Sequence, residues 1–474
     1  MRYIVIVFVL FVACTSQKPG HQKPNIIWIM IEDLGYQLSC YGEKGIHTPN
    51  IDKVAEQGIR YTNSFCTAPV CSPSRSAMIT GFYQNYIGAE QHRTQDEFQK
   101  KPLPYGIKPI THLLEDEGYF TCFMGERKTD LNFIPERPIF IGKDWSERNA
   151  GQPFYAQITF PGTHRIWHRD SINPIDIEDV ELPPYYPQTE LAKRDWANGL
   201  EAMQVVDRQV GEVLDRLEKE GLADNTIVFI IGDNGRCMPR GKQFLYDGGI
   251  QVPIIVRWPA KLEQRQVKSY VVNTLDITKT ILDVAGIDTG YELHGLNLFE
   301  EEIQKRKYIF AVRDKMDSTY DAMRAIRSED FKLIHNLMPE RAYCQFNRYK
   351  ENNYPVLALL NVLNLRGELP PEQARFMAPS KPEFELYALK NDPWELHNLA
   401  DDPVFAGVKK ELLKELNHWR ENVIHDKGVT EEFRNGGWPA DYPTKSLKEW
   451  EGVLEKFEPW VFREPKSKMK HPFR

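Results

Sequence analysis

"PNIIWIMIEDLG", residues 24–35, carries an apolar run from Ile26 to Ile31 that stops abruptly at two acids, Glu32 and Asp33. A strand with one wet face alternates apolar and polar residues, and this run does not alternate. It therefore reads as a central strand of a parallel sheet, buried on both faces, with the acids at its carboxyl end. The arrangement returns in "NTIVFIIGDNG" (225–235), where a second run ends in Asp233 and Asn234. Between them, "IRYTNSF" (59–65), "GYFTCFMG" (118–125) and "PFYAQITF" (153–160) predict further strands. Helices are expected at "TPNIDKVAEQG" (48–58), with Thr48 as cap and Gly58 as stop, near 107–117, and over 191–220. This alternation over residues 24–305 predicts an α/β fold: a large, mostly parallel sheet covered by helices on both faces. Ligand sites then fall at the carboxyl ends of its strands.

The pattern changes after residue 305. "KYIFAVRD" (307–314), "MRAIRSEDFKLIHNL" (323–337) and "FELYALKNDPWELHNLAD" (384–401) predict a small antiparallel sheet, and residues 403–423 a helix packed on it. Residues 306–425 thus form an expected C-terminal α+β subdomain. The Asn-, Leu- and Pro-rich stretch between Leu337 and Phe384 reads as a long, substrate-shaping loop. Residues 426–474 read as a wrapping extension whose end, with Lys466, Lys468, Lys470 and Arg474, is solvated.

The 474 residues, 41% hydrophobic, suffice for one large unit, a smaller one and a well-buried core. Sixty Lys and Arg against 67 Asp and Glu leave a net charge of −7, a field that does not favour nucleic acid. Any anionic substrate must be held by local charge. Residues 1–23 open with "MRYIVIVFVLFVAC", too short an apolar run to span a bilayer, and read as an export signal plus linker. Ala13-Cys14 resembles a bacterial lipobox, which would lipidate Cys14 and place the protein in the periplasm or on the outer membrane. A plain secretory signal is the alternative. A lipid at Cys14 is the one expected membrane attachment.

Glu32, Asp33, Asp233 and Asn234 would converge if both strands are central, and three carboxylates that close call for a cation. All-oxygen ligation points to a hard ion, Ca²⁺ or Mg²⁺, rather than zinc. Spacing alone fits turn or capping acids equally well. The remaining cysteines show no C-x-x-C pairing, so isolated buried thiols are expected. Cys71, in "APVCSPSRSAMITG" (68–81), stands apart.

"CSPSR" followed by "SAMITG" resembles the C-x-P-x-R signature of type I sulfatases, in the alkaline phosphatase superfamily, with Cys71, Pro73, Arg75, Thr80 and Gly81 in place. "PNIIWIMIEDLG", "HTPNIDKVAEQGIRYTNSF", "GDNG" and "LYDGGIQVPIIVRWP" occur in the family's order, so the resemblance covers nearly the whole chain. It implies that a maturase oxidises Cys71 to formylglycine. One geminal hydroxyl of the hydrated aldehyde would attack sulfur, and deprotonation of the other would expel sulfate. It further implies calcium on Glu32, Asp33, Asp233 and Asn234, with Glu32 departing from the family's usual aspartate, and a cation that polarises a sulfate oxygen.

By the same resemblance Arg75 orients the diol, Lys242 in "RGKQFLYDGG" contacts sulfate, and His164 in "ITFPGTH" is a general acid. Lys128 in "GERKTD" matches a family lysine, whereas Asp130 stands where many members have histidine. His92 and Arg93 in "GAEQHRTQ" are candidate substrate contacts, with a solvated loop the alternative. The expected function is sulfate hydrolysis from a glycan, heparan-type glycosaminoglycans first. The rivals are a phosphonate monoester hydrolase or phosphodiesterase of the same superfamily, and a non-catalytic sulfoglycan-binding protein.

Overall fold

The structure, a computed structural model, describes residues 23–92, 100–125, 129–437 and 444–473. Arg93, Lys128 and the leader with Cys14 lie outside these residues. The Asn25–Ile31 run is buried along its whole length and lies between Thr226–Gly232 and Phe154–Phe160, parallel to both. In spatial order the seven-stranded sheet runs Gln266–Lys268, Ile59–Tyr61, Ile254–Arg257, Thr226–Gly232, Asn25–Ile31, Phe154–Phe160, Phe120–Gly125. Only Ile254–Arg257 runs antiparallel to its neighbours within this sheet. Because Ile26–Ile31 and Ile227–Ile231 are apolar on both faces, two cores form. One holds Ile27, Ile29 and Ile31 against the Glu190–Lys219 helix, the other Trp28 and Met30 against the Leu275–Ala285 helix.

"IRYTNSF" is not one strand. Ile59–Tyr61 joins the main sheet, whereas Ser64–Phe65 pairs with Val272–Asn273 in a separate two-stranded ribbon. The chain turns between them, with the Thr62 N–H donating to the Lys268 carbonyl and Asn63 Nδ2 to that of Ser269. Thr48 occupies the expected N-cap position and its helix ends just before Gly58, but both residues also do something else. The Pro49–Glu56 helix has no side-chain cap; the Thr48 hydroxyl engages Ser39 and Asp52 instead. A Cβ on Gly58 would stand 2.0 Å from the Val256 carbonyl oxygen, so this glycine also lets two backbones touch.

Beyond residue 305, Ile309–Arg313, Met323–Arg327, Phe331–Asn336 and Phe384–Ala388 form a four-stranded antiparallel sheet in that order. Leu412, Leu416 and Trp419 of the Ala406–Asn422 helix pack on Val312, Ile326, Leu333 and Leu386 from it. The stretch between Leu337 and Phe384 is helical where a loop was expected, with helices at Arg348–Asn353, Pro355–Arg366 and Pro371–Ala374. "PVLALLNVLNLR" is apolar without a break over Pro355–Leu360, so it shows no one-sided periodicity there, and Pro355 begins the helix rather than breaking it.

That helix is covered by Leu447–Val461, whose start carries a capping box between Ser446 and Glu449. Trp450, Phe457, Trp460 and Val461 close over Ala358 and Val362, so the C-terminal extension is part of the core. Phe457→Ala should accordingly cost about 3 kcal/mol in urea unfolding through transfer and cavity terms together. An unchanged midpoint would mean the extension adds no stability.

Candidate active site

Ile31 pairs with Gly232, so the two acid-bearing strand ends open at the same edge of the sheet. Gly232 makes this possible, since a Cβ there would stand 2.0 Å from the Leu34 carbonyl oxygen as the first loop crosses. Asp33 turns into the left-handed region (φ 53°), and its backbone N–H donates to Asp233 Oδ1 at 2.8 Å. Asn234 Nδ2 donates to Asp33 Oδ1 at 2.7 Å. Three of the four predicted oxygen donors, Asp33, Asp233 and Asn234, are therefore neighbours, and Glu32 precedes them at the same strand end.

Cys71 is the first residue of the Cys71–Thr80 helix, so its side chain sits at the positive end of the helix dipole. Its Sγ lies 3.1 Å from Lys242 Nζ, 3.8 Å from Glu32 Oε1 and 3.9 Å from Asp33 Oδ1. One turn on, Arg75 Nε donates to Asp233 Oδ2 at 2.7 Å, and Ser74 Oγ to the Asp233 carbonyl at 2.6 Å. The helix is thereby pinned to the second strand end through both its serine and its arginine. Glu32, Cys71 and Asp130 bring candidate ligand atoms within 4.8 Å of one another. Asp130, itself at φ 56°, thus stands beside the Cys71 sulfur.

His164 Nδ1 is 2.6 Å from the Arg165 carbonyl, which can only accept, so Nδ1 carries the proton. Nε2 then faces Asp33 Oδ2 at 3.8 Å and the Tyr349 hydroxyl at 3.4 Å. Arg93 and Lys128 lie outside the described residues. His92 is buried, with Nδ1 3.1 Å from Asp317 Oδ1, and Asp317 Oδ2 accepts from Gln243 Nε2 at 2.8 Å. It braces the residue next to Lys242.

The electrostatics are those of a crowded, dry site. Burial would push the Asp33 carboxyl up, but Lys242 and His164 outweigh it and hold the group well below the usual carboxylate range. Lys242 Nζ, 2.6 Å from Asp33 Oδ1, is held well above its ordinary value against the opposing effect of burial. Asp233 is pushed up by burial, and Asp33 and Glu32 add to that against the attraction of Arg75. A divalent cation would relieve this repulsion among buried carboxylates. Asn234 Oδ1 is buried without a hydrogen-bond partner among the described residues, which suits a neutral oxygen ligand. The donor set fits a hard ion.

Two residues of this site carry no sequence signal that was used. The Cys237 thiol donates to Asp33 Oδ2, and burial holds it well above the normal thiol range, so it acts as a neutral donor. Its place three residues after Asn234, in the same strand-end loop, could have revealed it. Tyr349 comes from a helix in the segment read as a loop, more than a hundred residues from any other member. Tyr349→Phe should lower kcat roughly tenfold with KM and melting temperature unchanged, as expected for a group that orients His164. A change in KM alone would place Tyr349 on the substrate instead.

The family profile described as "Sulfatase" matches residues 24–135 and 141–287, and that of "N-sulphoglucosamine sulphohydrolase, C-terminal" matches residues 240–354. An "Ulvan-active sulfatase" of Formosa agariphila is 30% identical over 92% of this chain and 84% of its own length. Human "N-sulphoglucosamine sulphohydrolase" is 25% identical over 85% of this chain and 91% of its own. A protein solved with its substrate D-glucosamine-2-N,6-O-disulfate shares the fold, with TM-score 0.60 and 19% identity over 86% of this chain and 99% of that one. The Cys71 motif thus sits in matching sequence that extends through both parts of the chain, and the protein belongs to the sulfatase family, as a sulfuric ester hydrolase.

Proposed function

We propose that this sulfatase is exported and removes sulfate from a sulfated glycan, a heparan-type glycosaminoglycan first, with formylglycine made at Cys71 and calcium held by Glu32, Asp33, Asp233 and Asn234. The observation that carries the reading is the placement of Cys71 Sγ at a helix start, against Lys242 Nζ at 3.1 Å and within 4 Å of both Glu32 and Asp33. The matches to an N-sulphoglucosamine sulphohydrolase and its C-terminal profile support a glucosamine-bearing substrate, and the ulvan-active relative supports a sulfated polysaccharide. A maturase partner and a lipid at Cys14 belong to the same proposal.

A hydrated aldehyde at position 71 would supply the attacking oxygen, and the bound calcium would draw charge from a sulfate oxygen. The protein's own groups do the rest. Lys242, kept charged by Asp33, binds a sulfate oxygen beside the nucleophile. Arg75, fixed to Asp233, holds the position-71 side chain in its attacking orientation. His164, its Nδ1–H held by the Arg165 carbonyl, acts in its doubly protonated form and gives the Nε2 proton to the leaving oxygen or nitrogen. Asp130 takes up a proton from the geminal diol beside it, and Lys128 contributes positive charge toward the sulfate.

Ion-chromatographic assay of sulfate released from heparan- and ulvan-derived oligosaccharides tests this reading. Release from N- or O-sulfated glucosamine units is expected. Release from ulvan fragments alone would replace the heparan assignment. Faster turnover of a phenyl phosphonate than of any sulfate, or glycan binding without release, would overturn the function.

A further inference from the structure

A second cationic site lies behind Lys242, in a cavity of about 680 Å³ lined by Phe244, Arg313, Tyr343, Lys350, Tyr354 and Trp450 among others. Among its other charged lining residues Glu351 pairs with Lys445 and Glu340 with Arg434, while Arg341 donates to the Arg434 and Gly436 carbonyls. Its interior cations are less well matched. Arg313 is 1% exposed, and its Nε and Nη1 have no hydrogen-bond acceptor among the described residues. Its ion pair with Asp321 is loose, 3.5 Å, and both oxygens of Asp321 already accept from Lys381 Nζ at 3.0 and 3.2 Å. The Lys350 ammonium makes one hydrogen bond among the described residues, to the Lys242 carbonyl at 3.4 Å.

The two cations converge on one ring, with Lys350 Nζ 4.6 Å and Arg313 Cζ 4.9 Å from the Phe244 centroid. Burial, and then Arg313, push the Lys350 ammonium down to about 7. Buried donors without acceptors are costly, and a charged oxygen ligand is what they would bind best. The same cavity offers Tyr343 and Trp450 as apolar walls suited to the C–H face of a sugar. It also adjoins the reaction centre: Lys350 touches the backbone of Lys242, whose own side chain reaches Cys71.

We propose that Arg313 and Lys350 form an oxyanion subsite that holds a second acidic group, carboxylate or sulfate, of the glycan whose sulfate is being removed. The proposal rests on the glycan-sulfatase reading and narrows its substrate to chains with more than one acidic group. Free inorganic anion is the other source of the same chemistry. An acidic glycan is favoured because the subsite shares Lys242 with the reaction centre.

Calorimetric titration tests it on the calcium-loaded full chain carrying Cys71→Ala, which prevents turnover. The probes are a sulfated uronate disaccharide, its carboxyl methyl ester and inorganic sulfate. With Lys350 intact, esterification should weaken binding about 10- to 100-fold, as loss of a charge-assisted hydrogen bond does. With Lys350→Gln it should weaken binding less than about threefold, the coupling of a double-mutant cycle. Arg313→Gln repeats the comparison, and thermal melting verifies that each variant is folded.

An equal ester penalty with and without Lys350, or no binding of the acid form, overturns the proposal. So does Lys350-dependent binding of inorganic sulfate without ester discrimination, which would assign the site to a free anion. Sulfate release from the same disaccharide by the wild-type chain is measured separately. Discrimination without release defeats only the catalytic reading, and release without discrimination defeats only the subsite.

Discussion

Cys71→Ala should lower sulfate release at least about 10,000-fold, because in the proposed mechanism the oxygen that forms the bond to sulfur would be carried by this one side chain. Stability should change little, by about 1 kcal/mol, since a small buried thiol is exchanged for a methyl group and the helix that follows is held by Ser74 and Arg75 on Asp233. Steady-state assay alongside urea unfolding separates the two effects. Residual activity within about a hundredfold of wild type would mean that another group attacks sulfur and that the cluster around Cys71 has been assigned the wrong chemistry.

Asp233→Ala should abolish activity and also destabilise the protein by about 3–5 kcal/mol. The substitution leaves the Arg75 guanidinium, 1% exposed, without the carboxylate it donates to at 2.7 Å. It also removes the acceptor for the Asp33 N–H, and with it the backbone turn that aims Asp33 at Lys242. Asp233→Asn separates the roles. The one amide oxygen can still accept from the Asp33 N–H, which keeps the turn but leaves Arg75 without its carboxylate, so part of the stability loss should remain while activity falls roughly 1,000-fold with the lost ligand charge. Calcium titration calorimetry on the Asn variant should show weakened binding. Undiminished calcium affinity would remove Asp233 from the ligand set.

The site was legible where chemistry and strand ends coincide. Two apolar runs ending in acids predict adjacent central strands, and the structure brings Glu32, Asp33, Asp233 and Asn234 to one edge. The same logic places Cys71 and His164, which follow strands directly. Asp130 is marked only by the resemblance, at a position where many members have histidine, and the structure has it beside Cys71. It fails where long-range packing decides. Tyr349 reaches His164 from a helix whose neighbour, Pro355–Arg366, is buried on every side from Pro355 to Leu360 and so shows no amphipathic period there. Cys237 looks like an isolated thiol until the strand-end loop folds it onto Asp33. "IRYTNSF" splits because its two halves find partners in different sheets, a choice made by residues two hundred positions away. His92 is drawn against Asp317 by a C-terminal loop that local sequence does not announce.

The central claim is that Cys71 is the precursor of the nucleophile. Mass spectrometry of the peptide spanning residues 68–81, from active protein made with a maturase present, tests it most directly. The account predicts a peptide about 18 mass units lighter than the thiol form, the change expected for an aldehyde in place of CH₂SH. Fully active protein whose Cys71 remains an unmodified thiol would contradict it.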